Sequence, residues 1–201
     1  MLAETIRGTV SDPRAMSAAF DKWVQELAPG AKGWLGSTGG VTDDNESFIL
    51  TRFESEEEAK AHEQRPEQGQ FWGEVSRIFR SEPTIQHFTK VYFDTNGDLN
   101  STGFVQVRLG RVSDGDRMLA LIEGNSSWRT SRPDILGIVG AASAEGQFAN
   151  AVYFTSYDAA SEGEREDIPP DVLNRGDEMM SLIVGELEFL DLRDPWIDSS
   201  K

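Results

Sequence analysis

The feature that most restricts what this chain can fold into is a repeat of itself. GTVSDPRAM (Gly8–Met16) recurs as GRVSDGDRM (Gly110–Met118), an offset of 102 residues. GWLGSTGG (Gly33–Gly40) is echoed by GIVGAASA (Gly137–Ala144), LTRFESEEEA (Leu50–Ala59) by AVYFTSYDAA (Ala151–Ala160), and TIQHF (Thr84–Phe88) by ELEFL (Glu186–Leu190). Four matches in one order at a nearly constant offset mark a duplication, so each half must be a supersecondary unit in its own right. The units predicted are residues 1–96 and 103–195, joined by a turn-rich linker at 97–102 and followed by a tail at 196–201; DTNGDLNSTG spans the junction.

Each copy carries the same element signals. In the first, a strand near Glu4–Val10 ends at Asp12, a helix cap, and Pro13 suits the first turn. Met16, Phe20, Trp23 and Leu27 recur at helical spacing and define one apolar stripe. Two strands follow, GWLGSTGGV and SFILTRF, across the hairpin signal TDDNE. Ser55 with Glu58 three residues on forms a capping box for a second helix. Pro66 interrupts it, and Phe71, Trp72, Val75, Ile78 and Phe79 stripe its continuation. PTIQHFTKVYF closes the unit as one strand.

The second copy reads as strand Phe104–Val112, helix Asp116–Ser127, strands Ile135–Ala144 and Gln147–Ser156, helical pieces from Tyr157 to Val184 with a stripe through Val172, Met179, Met180 and Ile183, and strand Gly185–Leu192. The order β-α-β-β-α-β is ferredoxin-like, and the class is α+β. Apolar residues on both faces of the closing strands (Ile85 and Phe88; Leu187 and Leu190) call for a second covered face. Two tandem ferredoxin-like repeats forming an intrachain α+β barrel, a pseudo-dimer, are therefore expected.

Composition excludes more chemistry than it suggests. With no cysteine there is no disulfide framework, thiolate metal site or cysteine nucleophile, and two histidines make a His-rich metal site improbable. A net charge of −16 repels phosphate backbones and anionic membranes. No signal peptide and no apolar run near the ~20 residues of a membrane span are read in the sequence, so a cytoplasmic location is expected. GSTGGVTDD lacks the phosphate-loop pattern, and DTNGDLNSTG departs from a calcium loop at its sixth and twelfth positions, Leu99 and Val105.

The stretch RFESEEEAKAHEQRPEQGQFW (Arg52–Trp72) is chemically the densest in the chain. With the element order, it resembles the dimeric α+β barrel superfamily, particularly its antibiotic-biosynthesis-monooxygenase-like domains. The shared pattern is a strand ending in an aromatic, an acidic helix start, an Ala–His pair, a break, and a helix opening on aromatics. Phe53, Ala61–His62, Pro66 and Phe71–Trp72 hold those places. The RPEQG motif resembles that of uncharacterised actinobacterial proteins of this type. The resemblance covers the first repeat reasonably and the second in outline. Haem-degrading relatives place a histidine in the second half of this helical region, where EQGQFWGEVSRIF has none, so haem is disfavoured.

Several residues carry two readings. His62 is either a surface histidine held by Glu58 or Glu63, or a hydrogen-bond donor or general base at a pocket mouth. His87 aligns with Phe189, which suggests a buried strand histidine or a pocket-lining one. Arg65 either caps the break at Pro66 or holds an anionic substrate. Arg52 alternates with Phe48 and Leu50, and a charge on an apolar strand face needs a partner or water. Phe71 and Trp72 are core or a pocket wall. The function implied is small-molecule binding, with a monooxygenase-like enzyme acting on an aromatic or polyketide-like substrate without metal or tightly bound cofactor. There His62 or His87 takes a proton and Arg52 or Arg65 holds an oxyanion. The alternative is a non-catalytic binding or structural protein. The expected partner is a small apolar or aromatic ligand, with no nucleic acid and no membrane; the protein is a monomer built as a pseudo-dimer, or a homodimer.

Overall fold

A computed structural model describes residues 1–124, 128–165 and 170–199, with only the backbone of residues 170 and 171. It divides into two compact units, residues 1–87 with 194–201, and residues 88–193. The class is α+β: each unit has a five-stranded antiparallel sheet, and seven helices are described in all.

The first unit begins with β1 (Leu2–Thr9) and α1 (Pro13–Lys22), whose amides at Arg14 and Ala15 are capped by Asp12 Oδ1 at 2.9 and 3.1 Å. The stripe Met16, Phe20, Trp23, Leu27 is buried as expected, although its second half runs through a π-helical turn, Trp23–Leu27. After β2 (Trp34–Val41) and β3 (Glu46–Phe53) come α2 (Glu56–Glu63) and α3 (Pro66–Val75). Ser55 Oγ accepts from the Glu58 amide at 3.2 Å, as the capping box predicts.

PTIQHFTKVYF is two strands rather than one, β4 (Thr84–Phe88) and β5 (Lys90–Thr95). The second unit continues with β6 (Phe104–Arg111), α4 (Gly115–Glu123), α5 (Trp128–Ser131), β7 (Ile135–Ala142), β8 (Gln147–Phe154), α6 (Tyr157–Gly163), α7 (Pro170–Leu182) and β9 (Glu188–Leu192). β10 (Trp196–Asp198) ends the described chain. Residues 125–127, expected at the end of one helix, and 166–169, expected between helical pieces, lie outside the described residues.

The sheets run β10-β2-β3-β1-β4 and β5-β7-β8-β6-β9. Four strands of each give the ferredoxin-like order, and the fifth is an added edge strand. That strand comes from the far end of the other repeat's span: β5, at the end of residues 1–96, edges the second sheet, and β10, in the tail after the second repeat, edges the first. The duplication extends to irregularities. Both sheets have a register shift at the start of the second strand, Trp34/Gly36 and Ile135/Gly137. Both have an isolated bridge after the first, Val10–Phe79 and Val112–Ile183. Asp114 and Ser156 cap α4 and α6 as Asp12 and Ser55 cap their counterparts.

Two expected burials differ. Ile85 is 45% exposed while Phe88 is fully buried, and Met180 is 64% exposed and does not belong to the α7 stripe. Ile85 and Phe88 are three apart on one strand, so they lie on opposite faces; Ile85 shares the helix-facing side with His87 but stands on β4, the outermost strand, where the helices leave it open.

The added edge strand of the first sheet is held by an aromatic contact. Trp196 stands opposite Gly39 and packs against Phe20, ring centroids 5.6 Å apart. A Cβ at Gly39 would lie 2.9 Å from Trp196 and 3.0 Å from Phe20. Gly39→Ala is therefore expected to cost about 1–3 kcal/mol by overpacking. The urea midpoint checks this; an unchanged midpoint would mean the rings shift freely.

Candidate functional site

In the first unit a small cavity of about 80 Å3, open at one side, lies between the sheet and its helices. Its floor follows from strand register. Glu4 on β1 stands opposite Thr51 on β3, and Thr51 opposite Ser37 on β2, so three polar side chains form one row on the helix-facing side. Ser37 Oγ and Thr51 Oγ1 are 3.0 Å apart, and Trp34 Nε1 donates to Ser37 Oγ at 3.0 Å. Apolar neighbours Ile6, Ile49 and Phe53 complete the floor.

The helices supply the walls. Trp23 comes from the π-helical turn, Phe71, Trp72 and Gln68 from α3, and His62 and Glu63 from α2. Trp23 Nε1 donates to Gln68 Oε1 at 3.0 Å, which ties the two walls together. The face of α2 is set by its sequence, EEEAKAHE. Its apolar residues are two alanines, so His62 is the side chain large enough to fill the space behind Ala59.

His62 is accordingly 6% exposed, a buried residue rather than a surface one. Its ring lies 5.5 Å from Trp23 edge-on and 5.5 Å from Phe53. Arg65 Nη1 lies 3.3 Å from His62 Nδ1, and because a guanidinium only donates, Nδ1 is the acceptor and the proton sits on Nε2. Burial, and then the charge of Arg65, push the imidazole below its ordinary value, so it is neutral at pH 7.

Arg65 itself does not line the cavity. It donates to the Leu27 carbonyl at 2.9 Å, pairs with Glu67 at 2.9 Å, and so closes the break at Pro66 while fixing the tautomer of His62. Arg52 is absent from the cavity as well. Ile49, Thr51 and Phe53 of β3 face the helices, so Arg52 belongs to the opposite face, where it is 6% exposed and approaches the Leu35 carbonyl at 3.5 Å.

His87 is an exposed strand residue, and so is its counterpart Phe189 at 56% exposure; the apolar partner did not signal burial. It nevertheless reaches the site through Glu4. His87 Nε2 lies 2.9 Å from Glu4 Oε2 and 3.3 Å from Glu63 Oε1. The hydrogen bond to Glu4 raises the His87 pKa against some desolvation. Desolvation, and then the neighbouring Glu4, raise that of Glu63.

The three groups form a proton-sharing cluster with one carboxylate, Glu4, on the cavity floor. Their donor atoms lie within 4.8 Å of one another, a spacing open to a divalent cation, and the hydrogen bonds already account for it. Chemically the site offers a base set in an aromatic chamber, with a neutral imidazole opposite. Glu4 could have been found in the sequence by the reasoning applied to Arg52, since it precedes Ile6 on the same strand face.

The two histidines are expected to titrate on opposite sides of their ordinary 6.5. Neutral His62 contributes stability that is complete above that value and is lost as pH falls below it, because the unfolded chain then takes up a proton the folded one refuses. His87 has the reverse sign: its contribution is present below 6.5 and is lost as pH rises through its raised value. Imidazole NMR titration checks both midpoints; a His62 midpoint above that of His87 would contradict this geometry.

No family model matches the sequence, and no curated protein does. Solved structures do match, along nearly the whole chain. A provisionally named monooxygenase from Lactobacillus acidophilus NCFM superposes with TM-score 0.73 at 11% identity, covering 98% of this chain and 99% of its own. One from Fusobacterium nucleatum subsp. nucleatum ATCC 25586 gives 0.76 at 13%, covering 98% and 94%. An anthrone oxidase-like protein gives 0.70 at 12%, covering 98% and 92%. The chain thus has the two-repeat α+β fold of these monooxygenase-like proteins over its full described length.

Proposed function

We propose that the first-repeat cavity binds a small phenol-bearing aromatic compound and oxidises it with molecular oxygen, without metal or organic cofactor. The observation that carries this reading is the carboxylate of Glu4, set on the floor of a chamber walled by Trp23, Phe71 and Trp72 and backed by His87. The carboxylate shares the floor with the Thr51 and Ser37 hydroxyls and is paired with His87, so a proton taken up at Glu4 has a path out of the chamber. The names of the full-length neighbours favour the same class of chemistry.

The substrate expected carries an activated methylene between aromatic rings, made acidic by a conjugated carbonyl. Glu4 takes one proton and passes it towards His87 or Glu63. The carbanion is held flat against the aromatic walls, its oxyanion facing the Ser37–Thr51 hydroxyls or the Nε2–H of His62. It gives its electrons to molecular oxygen, and a proton returns to form a hydroperoxide. Loss of the remaining C–H proton, with departure of hydroxide, yields the ketone. In sum, one methylene and one molecule of dioxygen give one ketone and one water, and the substrate is the only reductant.

Anthrone-type tricyclic phenols are expected to raise the melting temperature and to consume one dioxygen each. Glu4→Gln is expected to cut oxygen uptake about 10²–10⁴-fold while leaving ligand stabilisation in place. Stabilisation without oxygen uptake in the unaltered protein would establish the non-catalytic binding reading instead. Uptake that survives Glu4→Gln would remove the base from the mechanism.

A further inference from the structure

The second repeat holds a cavity of its own in the corresponding layer, about 210 Å3 and lined entirely from within the second unit. Strand register gives the correspondence. The row Glu4–Thr51–Ser37 of the first sheet becomes Gln106–Val152–Ile138 in the second, and the apolar row Ile6–Ile49–Gly39 becomes Arg108–Asn150–Gly140. The acid has become a neutral amide, and an arginine has appeared one pair further along the same strand face. The two floors therefore differ in the sign of their charge.

Arg108 lines this cavity and is incompletely compensated. Its Nε and Nη2 donate to Gln106 Oε1 at 3.2 and 2.9 Å, a neutral acceptor. No carboxylate lies within 4.0 Å of it among the described residues. The other charged groups on the cavity are Arg132 and Glu164. Arg132 is neutralised by a two-pronged pair with Asp134, at 2.9 and 2.7 Å, and Glu164 is exposed. Desolvation works against the charge on Arg108, with distant Glu164 helping it and Arg132 opposing it.

A second donor lacks an acceptor here. Trp128 lines the same cavity, and its indole N–H is buried without a hydrogen-bond partner among the described residues. Asn150 beside Arg108 is held in place by its Nδ2 bond to the Val139 carbonyl at 2.8 Å. The remaining walls are hydrocarbon and aromatic, among them Ile122, Ile138, Phe154 and Met179. A half-buried guanidinium with no carboxylate in contact, in a chamber with one largely apolar wall and open space, is a site suited to an anion.

From this we infer that the second-repeat cavity binds a small monocarboxylate on an apolar or aromatic body, with the carboxylate on Arg108. One uncompensated positive charge in hydrocarbon walls matches one negative charge with an apolar remainder. It does not match inorganic phosphate, whose extra charge and oxygens would stay unsatisfied.

Calorimetric titration of the full chain with benzoate, phenylacetate, benzamide and inorganic phosphate tests this. Benzoate or phenylacetate is expected to bind about tenfold or more tightly than benzamide, and phosphate to compete with neither. Arg108→Met should abolish the preference for the acid over the amide. It should also leave the melting temperature of the unliganded protein unchanged or higher, since a half-buried charge whose only close partner is the neutral Gln106 is replaced by hydrocarbon. Arg108→Lys should keep binding but weaken it, because the planar fork is lost. Equal binding of acid and amide, carboxylate binding that survives Arg108→Met, or phosphate binding alone would each overturn the proposal. So would a clear loss of stability in unliganded Arg108→Met, which would mark the arginine as a structural tie to Gln106.

Discussion

An ionisable side chain on the helix-facing side of an interior strand forbids close packing above it. The helices of a ferredoxin-like unit normally seal that face with hydrocarbon, and a carboxylate or guanidinium there must find a partner, water or a ligand. β1 and β6 are interior strands of their sheets, and each carries one such group, Glu4 and Arg108. Each sheet keeps a cavity over that residue. In this protein the two pockets follow from the placement of one charge per repeat.

The repeats are alike in everything that builds a ferredoxin-like unit. Caps at Asp12 and Asp114, caps at Ser55 and Ser156, the register shift at the second strand and the bridge after the first are all duplicated. They differ in what stands on the floor. Glu4 is joined to Glu63 and His87, and a neutral His62 faces the same chamber. Arg108 is joined to an amide. Duplication preserves the groups that satisfy backbone donors and acceptors, because an unpaired buried amide is penalised in either copy. A cavity floor is under no such constraint, so one copy can carry a base and the other a cation.

Much of the architecture was legible because its signals are local. Capping residues, hairpin signals and the 3.6-residue stripe each act within one turn or one hairpin, and they located the elements of both repeats apart from the short α5 and the two added edge strands, β5 and β10. The dense stretch from Arg52 to Trp72 was legible as a place: His62, Phe71 and Trp72 all line the first cavity. The roles of its two arginines were not. Arg52 and Thr51 are neighbours in sequence and lie on opposite faces of β3, and the alternation alone does not say which face carries the cavity. Arg65 reaches Leu27 and His62 and turns away from the chamber, a choice made by a carbonyl 38 residues away.

The sequence by itself determined the duplication, the element order and the absence of thiol chemistry, all properties of residue type and spacing. Only the tertiary structure decided that Glu4 faces a cavity, that His87 is its exposed partner across 83 residues, and that His62 is buried beneath a polar-looking helix. It also decided that β5, at the end of the first span, edges the second sheet, and that β10, in the tail, edges the first. The reason is physical. Propensity and capping are short-range and are written in adjacent residues, whereas the environment of a charge is set by strand register and by what packs across it, and those are long-range.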